Sequence, residues 1–222
     1  MIPQNLRKET VTPRLLKILT LLMRENLFKP FRLVGGTNLS LRYGHRKSVD
    51  IDLFTDAEYG SLDFQSFENY LKNKFPYYQC PDPSNIVGFG RSYYIGDSEK
   101  DCVKLDLMYT DTFLNSEEII KGIRFATVED IIVMKLHAVN TGGRKKDFWD
   151  LHLLLQQYTL EEMVSFYMQK YPWESEMELL SKLIEFQEID NDFDPICLMD
   201  KDWDIIKLDF IEAFSNYKKI KM

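Results

Sequence analysis

The chain has 222 residues, 45% of them hydrophobic and 28% charged, a usage that excludes a disordered or fibrous polymer and leaves room for one large core or two small ones. A formal net charge of −7 and an isoelectric point near 5.1 weigh against a surface coated for nonspecific nucleic-acid binding, which depends on many Lys and Arg contacts to phosphate, without excluding a nucleic-acid substrate. No run approaches the ~18 uncharged residues of a membrane span, the start carries Arg7, Lys8 and Glu9 in place of a signal-peptide core, and Cys80, Cys102 and Cys197 form no C-x-x-C or Cys/His pair, so a cytoplasmic protein without membrane, disulfide framework or zinc is expected.

In chain order, Thr12-Pro13 reads as an N-cap and first helical residue, and Leu15, Leu16, Ile18, Leu19 and Leu22 continue a helix to about Asn26. Phe31 to Val34 reads as a strand, Gly35-Gly36 as a tight turn, and Asn38 to Tyr43 as a helix started by Thr37. Val49, Ile51 and Leu53 alternate with Asp50 and Asp52, the period of a strand with one apolar face, so the two carboxylates share the other face. An amphipathic stretch from Phe64 to Phe75 is followed by a loop through Pro81 and Pro83, strand-like runs at Ile86–Phe89 and Ser92–Ile95, and a strand from Val103 to Tyr109. From Thr127 the pattern turns helical. A capping-box-like start leads a helix to about Asn140, ended by Gly142-Gly143; further helices are expected at 145–157, 160–170 and 174–187. The fold class is therefore α+β, with a front half of mixed strands and a helical back half joined near Phe113–Phe125.

Gly35-Gly36-Thr37 ahead of Asp50-x-Asp52 carries the chemistry. Glycines after a strand let backbone approach a triphosphate, and the Thr37 hydroxyl and nearby helix-start amides can donate to its oxygens. Two carboxylates about 7 Å apart along one strand, at ~3.3 Å per residue, can hold Mg²⁺ between them. Asp106 repeats the arrangement on a second strand, where it could complete the metal shell or take a proton from an attacking hydroxyl. Taken singly, each feature is also what a turn glycine or a solvent-facing aspartate looks like; their order favours function. Lys135 falls inside the apolar stripe of Ile131, Ile132, Leu136 and Val139 while His137 falls outside, and an unpaired lysine there is better explained by a phosphate than by a snorkelling side chain. Asp147 at i+3 from Arg144 and Asp150 at i+4 from Lys146 read equally as surface ion pairs, and the bunches Arg42, His45, Arg46, Lys47 and Arg144, Lys145, Lys146 as solvated faces. Asp190, Asp192 and Asp194 open with calcium-loop spacing, but Pro195 and Lys201 stand where Gly and Glu are needed.

Leu33-Val-Gly-Gly-Thr-Asn-Leu39, Arg46-x-Ser48-x-Asp50-Ile-Asp52-Leu-Phe54, Lys104-x-Asp106, Lys135-Leu-His-Ala138 and Arg144-Lys-Lys-Asp-Phe-Trp-Asp-Leu151 together resemble the polymerase β-like nucleotidyltransferases, and within them the AbiEii/AbiGii-type toxins of abortive-infection and type IV toxin–antitoxin systems. The resemblance spans roughly residues 31–155. It implies a mixed sheet with flanking helices, Mg²⁺, and transfer of a nucleoside monophosphate from an NTP to an acceptor hydroxyl, tRNA in characterised relatives, with a separately encoded antitoxin as partner. It implies a nucleotidyltransferase core over 1–112 and a mainly helical part over 113–222 completing the active-site cleft. Asp50, Asp52 and Asp106 would be metal-binding and catalytic, with Lys135 and Asp147 catalytic in a second conserved site. Gly35, Gly36, Thr37, Arg46, Ser48 and Lys135 would be nucleotide-binding, with Asp150 as a further candidate. Two alternatives stay open: a small-molecule, aminoglycoside-like nucleotidyltransferase, and a non-catalytic module that holds a nucleotide or a partner.

Overall fold

In the computed structural model, residues 5–81 and 88–221 are described, and they divide into two compact units: 1–43 with 48–126, and 44–47 with 127–222.

The first unit is built on a mixed sheet. Helix α1 (Pro13–Arg24) starts where expected, with Pro13 in its first turn and the Thr12 hydroxyl accepting from the Leu15 amide at 3.1 Å, and it buries the stripe Leu15, Ile18, Leu19, Leu22 and Met23. The chain continues through β1 (Arg32–Leu33), α2 (Gly35–Tyr43), β2 (Asp50–Thr55) and α3 (Phe64–Lys74), then β3 (Tyr77–Gln79), β4 (Gly90–Ser98), β5 (Asp101–Tyr109), β6 (Glu118–Ile120) and β7 (Ile123–Phe125). The strand order is β3-β4-β5-β2-β1-β7-β6, with β2 parallel to β5, β1 parallel to β7 and the other neighbours antiparallel. The apolar faces of β2 and β5, Ile51, Leu53, Val103, Leu105 and Leu107, are buried with Leu15, Leu19, Phe28, Phe31 and Phe67 in one core. That burial, at roughly 1.5–3 kcal/mol per large apolar side chain, dictates which face the aspartates take.

Three expectations change here. Gly35 and Gly36 are the first residues of α2 itself, not a turn ahead of it. Val49 lies outside β2 and is 65% exposed, because the strand begins only at Asp50. The joining segment 113–125 contains β6 and β7, which extend the sheet, so strand pairing runs further along the chain than alternation alone suggests. The run expected at Ile86–Phe89 lies partly outside the described residues.

The second unit is helical: α4 (Val128–Asn140), α5 (Lys145–Leu154), α6 (Leu160–Lys170), α7 (Glu176–Lys182) and α8 (Trp203–Lys221). Thr127 caps α4, and Thr159 with Glu162 forms a reciprocal capping box on α6. Helices α5 and α7 are shorter than expected, and α8 has no counterpart among the expected elements. Residues 45–47 join this unit because Lys47 donates to the Ile196 carbonyl and Leu198 to that of His45, a short antiparallel pairing. Phe148 of α5 meets Phe186, Trp203 and Phe210 edge-on at 5.4–5.8 Å, and Trp149 stacks on Trp203 at 5.7 Å, which fixes α8 against α5. The three aspartates with calcium-loop spacing have protein partners instead: Asp190 accepts from the Trp203 indole, Asp192 from the Lys145 amide, and Asp194 from the Lys145 ammonium.

Candidate functional site: two charged clusters

The first cluster follows from the register of two strands. In the parallel β2–β5 pair Asp52 is the Cα partner of Asp106, and Asp50 that of Lys104. Paired residues project to the same side, so Asp50, Asp52 and Asp106 stand together on the face opposite Ile51, Leu53, Leu105 and Leu107. Gly35 adjoins them: its φ is +67°, and a Cβ there would collide with the Asp52 carboxylate. Only glycine combines that backbone conformation with that approach. Helix α2 thus starts beside Asp52, and the amides of its first turn, Gly35 to Asn38, have no carbonyl within the helix to bond to.

Two side chains expected on phosphate are engaged otherwise. The Thr37 hydroxyl is fully buried, donates to the Asp50 carbonyl at 2.5 Å, and therefore accepts from the Ser48 hydroxyl at 2.8 Å. A hydroxyl has one proton to give. Thr37 and Ser48 thus hold the start of β2.

Lys104, to which its place in the sequence assigns no role, sets its ammonium 2.5 Å from Asp106 Oδ2. Burial pulls its pKa down, but the hydrogen bond and charge of Asp106 and the charges of Asp50 and Asp52 outweigh this and raise it. Asp106 Oδ1 is buried and has no hydrogen-bond partner among the described residues. Among those residues no group of three or more His, Cys, Asp or Glu side chains is arranged as a ready metal shell. The donor set nevertheless fits a hard divalent cation: three carboxylates in register, one with an idle buried oxygen.

The second cluster lies within the helical unit. Asp150 is fully buried and accepts from Arg46 Nε at 2.7 Å, Arg46 Nη2 at 2.8 Å and His45 Nε2 at 2.7 Å, while Lys135 Nζ lies 2.7 Å from its second oxygen. Lys135 also donates to Asp147 at 2.6 Å, and Asp147 takes the Arg144 backbone N–H at 3.1 Å. Burial would raise Asp150, but the charges of Arg46 and Lys135 and the hydrogen bonds of His45 and Arg46 hold it well below the carboxylate range. Asp147 is lowered likewise against its own burial, chiefly by Lys135, and Lys135 is raised by Asp150 and Asp147 despite its burial.

These contacts correct the surface ion pairs expected of Asp147 and Asp150, and the expectation that Lys135 lacks a protein partner. Arg42, His45 and Arg46 are buried too, so their bunch is no solvated face. Helical periodicity places Lys135 inside an apolar stripe but cannot show Asp147 and Asp150, one turn apart on α5, turned toward it. His45 is a member of the cluster that no spacing in the sequence singles out. Lys146, freed from its expected partner, makes no hydrogen bond or ion pair among the described residues, and burial followed by the charges of Arg144, Lys135 and Arg46 lowers its pKa.

The model of the family described as nucleotidyl transferase AbiEii toxin, type IV TA system, matches residues 17–218. An uncharacterized protein from Aquifex aeolicus (strain VF5) is 30% identical over 145 residues, which cover 64% of this chain and 66% of that protein. Among solved structures, JHP933 from Helicobacter pylori aligns with a TM-score of 0.60 at 20% identity, covering 95% of each chain. MenT4, a nucleotidyltransferase toxin from Mycobacterium tuberculosis H37Rv, aligns with a TM-score of 0.55 at 13% identity, covering 89% of this chain and 80% of that one. At such identities these two structures show a common fold.

Proposed function

The chain belongs to the AbiEii family of nucleotidyl transferase toxins of type IV toxin–antitoxin systems, and we propose that it moves a nucleoside monophosphate from a magnesium-bound NTP to a hydroxyl of RNA, with tRNA as acceptor and an antitoxin encoded separately. The observation that carries this reading is the β2–β5 register, which sets Asp52 opposite Asp106 with Asp50 on the same face and Gly35 beside them. Asp50, Asp52 and Asp106 would hold Mg²⁺, which supplies charge neutralisation at the triphosphate when bound.

The chain's own groups do the rest. The first-turn amides of α2, Gly35, Gly36 and Thr37 among them, receive phosphate oxygens without rearrangement, because they are already unsatisfied within the helix. As the acceptor oxygen bonds to the α-phosphorus, the bond to the pyrophosphate oxygen breaks and pyrophosphate leaves with its electron pair. The hydroxyl proton passes to Asp106, whose Oδ1 is idle. In the second cluster, Lys135 and Arg46 keep Asp147 and Asp150 ionised and fixed.

Incubation of the chain with each α-labelled NTP, Mg²⁺ and total tRNA, resolved on a denaturing gel, tests the proposal. Label should enter RNA from one or more NTPs and depend on Mg²⁺. In a parallel incubation with small cationic acceptors, label entering them while none enters RNA would instead support a small-molecule transferase.

A further inference from the structure

Three carboxylates on one face of the β2–β5 pair repel one another unless cations stand among them, and the structure provides one. Lys104 lies two residues before Asp106 on β5, on the same face, with Asp50 as its Cα partner across the parallel pair. Its ammonium bonds Asp106 Oδ2, and its side chain is one third exposed. With Asp50, Asp52 and Asp106 it leaves the cluster a net charge of minus two, the complement of one divalent ion.

We propose that Lys104 is the internal counter-cation of the triad: it holds Asp106 in place while no metal is bound and must release Oδ2 when a divalent cation enters. This rests on the metal-dependent reading above and adds a positioning residue that sets how tightly the metal binds. An ordinary strand-face ion pair would stabilise the chain slightly and leave metal affinity alone. A counter-cation likewise stabilises the metal-free chain but also weakens metal binding, because its charge opposes the incoming ion across a partly desolvated face.

The test is Mn²⁺ binding to the nucleotide-free full chain, followed by the paramagnetic resonance of free Mn²⁺, in wild type, Lys104→Met and Lys104→Arg, each with and without Asp52→Asn. Circular dichroism confirms folding. Lys104→Met should bind Mn²⁺ on the order of tenfold more tightly than wild type, and Lys104→Arg, which keeps the charge, within about twofold of it. Without metal Lys104→Met should melt lower, and Mn²⁺ should raise its melting temperature more than it raises that of wild type. Equal Mn²⁺ affinity in wild type and Lys104→Met, with binding still lost on Asp52→Asn, overturns the role of Lys104 and leaves the metal reading standing. Binding that ignores Asp52→Asn in every background overturns the metal reading itself, and this proposal with it.

Discussion

Lys135 separates two explanations of one residue. Its place on an apolar stripe points to a phosphate; its two carboxylate partners show that the protein already satisfies it. Replacing it with Met keeps the aliphatic stem but leaves Asp147 and part of Asp150 buried against no ammonium, which should cost about 3–5 kcal/mol in urea unfolding. A stability within about 0.5 kcal/mol of wild type would mean the pairs contribute nothing, the median behaviour of surface bridges. The same cluster fixes the pH response. Asp147 and Asp150 are depressed in the folded state, so their contribution is present above the unfolded carboxylate value of about 3.9 and is lost as pH falls through the lower folded values. Lys135 is raised, so its contribution is complete below about 10.4 and is lost as pH rises through its folded value. The contribution of these three groups should therefore be flat between these limits, and Arg46→Met should lower stability and weaken the acid-side dependence, as pH-dependent thermal melts would show.

At the scale of elements, legibility follows periodicity and caps. Thr12, Thr127 and Thr159 each cap a helix, and the alternation in β2 and β5 defines their aspartate faces without knowledge of pairing. What sequence cannot supply is partnership: parallel register, and the turn of α5 toward α4. Helix α8 escapes a reading by periodicity although Trp203, Ile206, Phe210 and Tyr217 recur at helical spacing, because the exposed Ile205, Leu208 and Ile211 blur the stripe. Trp203→Ala should cost about 3–4 kcal/mol by removing the ring packed on Phe148, Phe186 and Trp149, and calorimetry would register a correspondingly lower melting temperature. Gly35→Ala acts at the β1–α2 junction: positive φ and the collision with Asp52 should together cost about 1–3 kcal/mol and displace the carboxylate. A fully active, fully stable Gly35→Ala protein would contradict the approach described.

For the molecule as a whole, composition indicates a folded chain and the order of strand and helix patterns an α+β one, and no helix among the described residues is long and apolar enough to cross a membrane. The family is readable from five short segments because several of them are bound to a fixed structural duty, such as a glycine at positive φ, aspartates on one strand face, or a lysine matched to two aspartates. The acceptor is not, since recognition of an acceptor depends on a surface that no short spacing encodes. The measurement closest to the central claim compares wild type with Asp52→Asn, using NTP labelled at the α- or the γ-phosphate, Mg²⁺ and tRNA. Wild type should place α-label in tRNA and release γ-label as pyrophosphate. Asp52→Asn, similar in volume and on a polar face, should lose transfer by about a thousandfold or more while melting within a few degrees of wild type. γ-Label in the RNA, or undiminished transfer by Asp52→Asn, would contradict nucleotidyl transfer at this site.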